Sequence, residues 1–240
     1  MAGDDVVIEA FTELAPRYEE VVDSELRRFW GWSYRAFVAQ LVASASVREG
    51  DAVLDVATGT AVIPRKLAEE VRGQGPIVGL DITLAMLRHG QKSIAAGGSL
   101  SRILFVCASA MDMPFAQGTF DVVICGLGTH HMDVPEMLSE MRRVLKVGGQ
   151  LTIADVAASP TWRLPGIKTM LRIATFFYFL PAHHVARAWA EAAAVSNVHT
   201  AEEWRAILAE FGFADIVVTR LPSRHFWAPA PLIMNAIRTR

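Results

Sequence analysis

The chain has 240 residues, 52% of them hydrophobic, and 23 basic against 25 acidic side chains leave a formal charge of −2. That is material for one large α/β domain with a sizeable core. It lacks the basic excess, gathered on one surface, that binding to nucleic acid requires. The acidic opening MAGDDVVIEAF has neither the basic nor the apolar region of a secretory signal. The longest apolar stretch, 173–182, falls short of the roughly 20 residues a membrane-spanning helix needs, so a cytoplasmic location is expected.

Residues 6–46 carry helical spacing at Phe11, Leu14, Tyr18 and Val22, then at Leu26, Phe29 and Trp30, and again at Phe37 and Leu41. From residue 51 short apolar runs alternate with longer periodic segments, which points to βαβ units and a parallel sheet. Strands are expected over 52–56, 77–81, 103–107, 120–125 and 150–155, with helices over 62–72, 84–96 and 135–145. The first four strands are nearly continuous apolar runs, as expected when both faces of a sheet are covered. Their cysteines, Cys107 and Cys125, read as buried free thiols. Gly148 and Gly149 mark a break after a helix ending in Lys146, a charge suited to that terminus. Segment 160–198 then interrupts the alternation. It is helical, rich in Phe, Tyr and Trp, and would lie above the carboxyl ends of the strands, where open α/β sheets bind ligands. A helix over 202–211 closed by Gly212, a strand over 215–220 and a last strand over 232–237 complete the pattern.

The expected architecture is therefore a single α/β domain over 1–240, with a doubly wound, mainly parallel seven-stranded sheet. It divides into an N-terminal helical cap (1–46), a core (47–158), a helical substrate cover (159–199) and the C-terminal part of the sheet (200–240).

The most informative stretch is Val53-Leu-Asp55-Val-Ala57-Thr58-Gly59-Thr60-Ala61. An apolar strand ends in an acid, and a run of small residues then turns into a helix. Small residues let the backbone approach a ligand closely, and the helix start offers unpaired N–H groups. A second acid, Asp81, closes the next strand about 20 residues beyond the loop, a spacing suited to accepting hydrogen bonds from ribose hydroxyls. The dinucleotide fingerprint G-x-G-x-x-G fits poorly, because Ala57, Gly59 and Ala61 cannot fill its positions and Asp55 sits inside the motif. A nicotinamide dehydrogenase is correspondingly remote.

With these residues in hand, the sequence resembles the class I S-adenosylmethionine-dependent methyltransferases, and within them the ubiquinone/menaquinone-biosynthesis C-methyltransferase group. The resemblance runs from about Phe11 to Gly149 and returns over 200–218. It is carried by VLDVATGTA, GLDITLAML, ASAMDMPFAQGTFDVV, HHMDVPEMLSEMRRVLKVGG and LTIADV. It implies a Rossmann-like methyltransferase fold with S-adenosyl-L-methionine as cofactor, and 47–158 as the cofactor-binding core. Asp55, Ala57, Thr58, Gly59 and Thr60 would surround the methionine portion, and Asp81 would hold the ribose diol. Ile82 and Met86 would lie beside the adenine, with Ser109, Ala110 and Met111 at its amino group. Gly126 would approach the amino-acid end, and the segment from Phe11 to Tyr18 would close over the cofactor. Three positions depart from the family pattern: Ala61 replaces a glycine, Thr58 stands where Cys or Gly is common, and Ser109 replaces an Asp or Asn.

Methyl transfer is an in-line displacement, so much of the task is alignment, and a base helps when the acceptor must lose a proton. Histidine suits that role near neutral pH. His130 and His131, after the fourth strand, are the catalytic candidates. Asp155, Phe176, Phe177, His183 and His184 are candidates for contact with the acceptor. No metal is expected, because adjacent histidines should diverge and give at most one ligand per pair, and an acidic cluster for magnesium is missing. The consecutive Phe176–Phe179 must point all round a helix, so some should meet an apolar ligand, a partner subunit (a homodimer) or a membrane surface. The expected function is methyl transfer to a small or medium-sized hydrophobic acceptor at carbon or oxygen, a quinone precursor or a specialised metabolite. The alternatives are a protein of this fold using bound S-adenosylmethionine for cyclisation or isomerisation, and a non-catalytic partner of another methyltransferase.

Overall fold

The computed structural model describes residues 2–71, 75–96, 102–180, 185–225 and 229–240. Helices α1 (Ala2–Leu14), α2 (Tyr18–Phe29) and α3 (Tyr34–Ser44) precede the sheet. Then follow β1 (Val53–Val56), α4 (Val62–Glu70), β2 (Ile77–Asp81), α5 (Leu84–Ala96), β3 (Ile103–Cys107), β4 (Phe120–Gly126), α6 (Val134–Val144) and β5 (Leu145–Val156). Helices α7 (Ile167–Phe179), α8 (Val185–Ala194) and α9 (Ala201–Glu210) lead to β6 (Phe213–Arg220) and β7 (Pro231–Arg238). The strands form one seven-stranded sheet in the order β3-β2-β1-β4-β5-β7-β6. The first five are parallel, and β7 lies antiparallel between β5 and β6.

Along the central strands the apolar runs are continuous because both faces are covered. Along β4, Val123 and Cys125 join the core beneath α6 and α9, with Met137, Leu138, Met141, Trp204 and Leu208. Val122 and Ile124, on the opposite face, pack with Phe37 and Leu41 of α3, Ile63 and Leu67 of α4, and Val22 and Leu26 of α2. Side chains alternate across a strand, so two apolar layers demand apolar residues at every position. The strand order reverses between β1 and β4, which run from a common centre toward opposite edges. That reversal opens a crevice beyond the carboxyl ends of the strands, where such sheets bind their ligands.

Several sequence expectations need correction. Helix α4 ends at Glu70, and Arg72 lies outside the described residues. Helix α6 ends at Val144, so Lys146 belongs to β5, where it bridges Asp121 at 2.7 Å instead of facing a helix end. Gly148 and Gly149 do not break the ladder. Phe120 pairs with Leu145 and Val122 with Gln150, so the chain loops out in between through Gly148 (φ +77°) and rejoins the sheet. Strand β6 starts at Phe213, two residues ahead of the expected start, with a register shift around Asp215 (φ +51°). Cys125 is buried as expected, but Cys107 is exposed. It ends β3, an edge strand with half-open faces.

The loop after β1 is built from left-handed turns, with Ala57, Gly59 and Ala61 at φ +57°, +55° and +63°. Ala61 is fully buried at the start of α4 and gives that helix no side-chain cap. A Cβ in this conformation is strained, and glycine is not. Ala61→Gly should therefore stabilise the fold by about 1 kcal/mol, seen as a rise in the midpoint of chemical denaturation. An unchanged or lower midpoint would show that the lost methyl contact outweighs the relieved strain.

Candidate functional site

Four strand ends converge at the crevice. Asp55 precedes the turn after β1, Asp81 closes β2, Gly126 closes β4, and Asp155 stands one residue from the end of β5. Asp81 joins two of these elements. One carboxylate oxygen accepts the Gly59 N–H at 2.9 Å and the other accepts the Thr83 N–H at 2.7 Å. Burial raises its pKa, and those N–H groups act against the rise. The loop after β1 and the turn after β2 are thus held to one carboxylate, which still faces the cavity beside them.

That cavity receives Tyr18, Ala57, Gly59, Asp81, Ile82, Met86, Ser109, Ala110, Met111 and Gly126. Ten of the thirteen residues named for the cofactor from sequence are therefore brought together, while Asp55, Thr58 and Thr60 stand behind the wall. The Thr58 hydroxyl donates to Asp55 at 2.6 Å, and Gly79 leaves room for it: a Cβ there would come within 2.8 Å of Thr58 Oγ1. Thr60 donates to Glu19 of α2 at 2.9 Å, and Arg65 reaches the same oxygen. Asp55 is fully buried, its Oδ1 without a hydrogen-bond partner, and burial pushes its carboxyl up to about 8. Ser109 accepts the Met111 N–H at 3.2 Å and lines the cavity with its remaining hydrogen-bonding capacity. Sequence reasoning missed Asp4 and Val7 of α1, which help to roof this cavity. Their only signal was a helical period shared with Phe11.

A second cavity of about 290 Å³ adjoins the first, and Phe11, Tyr18, Leu127 and His131 line both. Its walls are largely apolar, with Val22, Leu26 and Phe29 from α2, Trp30 just after it, and Thr175 and Phe179 from α7. Phe176 and Phe177 are absent from both linings. The orientation of α7 gives the cavity their neighbours, while Phe176 packs against Trp189 at 4.8 Å and Phe177 faces outward. His183 and His184 lie outside the described residues. The polar corner holds His130, His131, Asp155, Arg187, Glu191 and Glu25. Arg187 of α8 contacts both Glu25 oxygens at 2.9 and 3.0 Å and Glu191 at 3.3 Å.

The two adjacent histidines differ in kind. A short turn at Thr129–His131 follows Leu127, itself held left-handed (φ +59°) with its N–H on the Ala154 carbonyl at 2.7 Å. On this turn His130 Nδ1 meets Asp155 Oδ1 at 2.7 Å. Asp155 also accepts the Thr129 hydroxyl and the N–H groups of His130 and Val156. Its carboxylate is thus committed to the turn, and with His130 it also lines the second cavity. Burial alone would lower the His130 pKa, but the Asp155 charge overcomes it and raises the ring above 6.5. Burial would raise Asp155, and the imidazole holds it below 3.8. His131 lacks such a partner: its Nδ1 is buried and unpaired, its ring meets Phe11 edge-on, and burial pushes it down to about 4. His131 is therefore neutral and a poor base at neutral pH.

His130, His131 and Glu191 bring donor atoms within 4.8 Å of one another. The expected divergence of neighbouring histidines fails on this tight turn, where the ring centroids are 4.3 Å apart. The charge of Glu191 is already met by Arg187, a cation supplied by the fold.

The ubiE/COQ5 methyltransferase family matches residues 1–183. The demethylmenaquinone methyltransferase of Symbiobacterium thermophilum is 34% identical over 179 residues, covering 73% of this chain and 67% of the relative. The ubiquinone/menaquinone biosynthesis C-methyltransferase UbiE of Xylella fastidiosa is 36% identical over 154 residues, 64% of this chain and 59% of the relative. Among solved structures, the geranyl diphosphate C-methyltransferase of Streptomyces coelicolor A3(2) superposes with a TM-score of 0.66 at 16% identity, covering 92% of this chain and 84% of that one. At that identity the likeness concerns the fold.

The His130–Asp155 pair gives a titration with a definite sign. The contribution of His130 to stability is full below 6.5 and fades as pH rises through its raised folded value. That of Asp155 is present above 3.8 and fades as pH falls through its lowered folded value. Asp155→Asn should carry the His130 titration, followed by NMR of the imidazole protons, from above 6.5 to below it. A titration that stays put would deny the pair its electrostatic role.

Proposed function

The chain belongs to the ubiE/COQ5 methyltransferase family and is an S-adenosylmethionine-dependent methyltransferase, and from that premise we propose that it methylates a ring carbon of an apolar phenol or quinol of the quinone-precursor type. The observation carrying this reading is the pair of adjoining cavities, one lined by Asp81 and the loop after β1, the other apolar with the Asp155–His130 pair in its corner. The names of the relatives, a demethylmenaquinone methyltransferase and a quinone-biosynthesis C-methyltransferase, support a ring acceptor.

The residues of the first cavity fit the cofactor. Asp81 presents a buried carboxylate whose oxygens each keep accepting capacity beyond one N–H, as a vicinal diol requires. Ile82 and Met86 give apolar faces to a purine, with the Ser109 hydroxyl at its edge. Asp55, with one orphaned oxygen behind the loop, favours a cationic ligand, whose charge stabilises its ionised form. When bound, S-adenosylmethionine supplies a methyl group on a positively charged sulfur.

The chain's own residues do the rest. Residues 159–199 act as the acceptor cover, joined to the histidine turn by Asn197, which donates to the carbonyls of His130 and Met132 at 3.3 and 3.1 Å. The apolar walls hold the ring and exclude water, and the alignment they enforce is a main source of rate. His130, oriented through Nδ1 by Asp155, offers its other ring nitrogen to the acceptor hydroxyl and takes that proton. The negative charge left on oxygen spreads into the ring and makes the neighbouring carbon nucleophilic, and once methylated that carbon gives up its own proton, which restores the aromatic ring. Phe11 and Tyr18 line both cavities, where aromatic faces favour a cation. The outward apolar face of α7 supports a peripheral contact, with a bilayer or a second copy of the chain, and among the described residues no helix is long and apolar enough to cross a membrane.

Two measurements test the reading. Asp81→Ala should weaken binding of S-adenosylhomocysteine in a calorimetric titration by roughly tenfold or more, since hydrogen bonds to a charged group contribute about 1.5–3 kcal/mol. Unaltered affinity would remove the assignment of the diol. His130→Ala should lower kcat with quinol-like acceptors by about 10²–10⁴ and leave cofactor affinity unchanged, with product mass increased by one CH2 in the wild type. A product of unchanged mass would instead indicate rearrangement.

A further inference from the structure

Two elements bring nitrogen and oxygen donors together at the polar corner of the second cavity. The turn after β4 carries His130 and His131, and α8 carries Glu191 opposite them. One ligating atom from each of the three lies within 4.8 Å of the others. His131 Nδ1 is buried and has no hydrogen-bond partner, and a native fold rarely leaves such an atom orphaned.

The surroundings of each donor suit a ligand. Asp155 engages Nδ1 of His130 at 2.7 Å, which aims the ring and leaves its other nitrogen to bind. A carboxylate behind a ligating imidazole is the usual outer partner of a metal-bound histidine. Glu191 is the less firmly held of the two carboxylates that share Arg187. The guanidinium meets both oxygens of Glu25 at 2.9 and 3.0 Å, but Glu191 at 3.3 Å. Glu191 can therefore turn to a second cation while Arg187 keeps its closer contacts.

Two imidazoles and a carboxylate are a donor set for zinc and its neighbours, whereas magnesium and calcium prefer oxygen. Bonds of about 2.0–2.1 Å in a tetrahedral site bring ligand atoms to roughly 3.4 Å from one another. The Glu191 side chain, with three rotatable bonds, is the member that closes this difference. We infer that the corner is a site for one divalent transition-metal ion of the zinc class, ligated by His130, His131 and Glu191. The ion and the acceptor proton compete for the same nitrogen of His130, so the metal-bound enzyme is blocked in proton removal. Binding stands on the donor set alone, and the blockade rests on the proposed role of His130.

The test is titration of the full chain, first freed of metal by a chelator, with zinc chloride in a calorimeter and with cobalt chloride followed by visible absorption. The expected result is one zinc per chain at micromolar affinity or tighter, and cobalt bands that zinc displaces. Asp155→Asn, which alters the partner behind His130, should weaken zinc binding by about 10–100-fold. Glu191→Ala should weaken it further and abolish the cobalt bands, yet bind S-adenosylhomocysteine as the wild type does, which reports an intact fold. Zinc should also lower kcat with a quinol-like acceptor, and a chelator should restore it. A wild type that takes up no zinc at millimolar concentration overturns the site, as does zinc binding that both Glu191→Ala and His131→Ala leave unchanged. Zinc bound with turnover undiminished overturns the blockade, and with it the role of His130.

Discussion

The site depends on one buried carboxylate at a sheet edge. Asp81 accepts an N–H from the loop after β1 and another from the turn after its own strand. These bonds fix the loop's position relative to β2. The loop's left-handed turns are sustained because its surroundings over-determine them: Thr58 is packed against Gly79, and α5 approaches so closely at Gly90 that a Cβ there would lie 3.0 Å from the Thr60 backbone. A loop of small residues would otherwise sample many shapes. Here the strands hold it rigid, and the cost of ordering a binding surface is met during folding instead of during ligand capture.

Legibility in the sequence followed the range of the forces involved. The strands were readable because two covering layers impose apolar residues at every position, and the loop was readable because close approach imposes small ones. The spacing of Asp81 from the loop is a local property of one βαβ unit. The rest was decided by partners far along the chain. Gly148 and Gly149 announce a departure from regular structure, but only pairing with β4 shows that the ladder resumes. Cys107 looks like any strand thiol until the strand order places β3 at the edge.

The two adjacent histidines show the same division. His130 and His131 are equivalent by composition, position and neighbours in sequence. What separates them is Asp155, which belongs to another strand and meets one ring only. Sequence reading likewise found the aromatic cover but chose Phe176 and Phe177, because helical period alone does not say which face turns inward. The charged corner on α8, Arg187 with Glu191, lies beyond residue 183, where the family match ends. This end of the second cavity is therefore built from a part of the chain that the family match does not reach.

Helix α1 carries Asp4 and Val7 over the first chamber, places Phe11 over both chambers, and packs against α5 on one side and α8 on the other. A shared roof makes the two occupancies thermodynamically reciprocal. Any coupling that α1 carries between them has the same size in both directions, so a guest that tightens the helix over one chamber favours the other guest by as much as it is favoured in return.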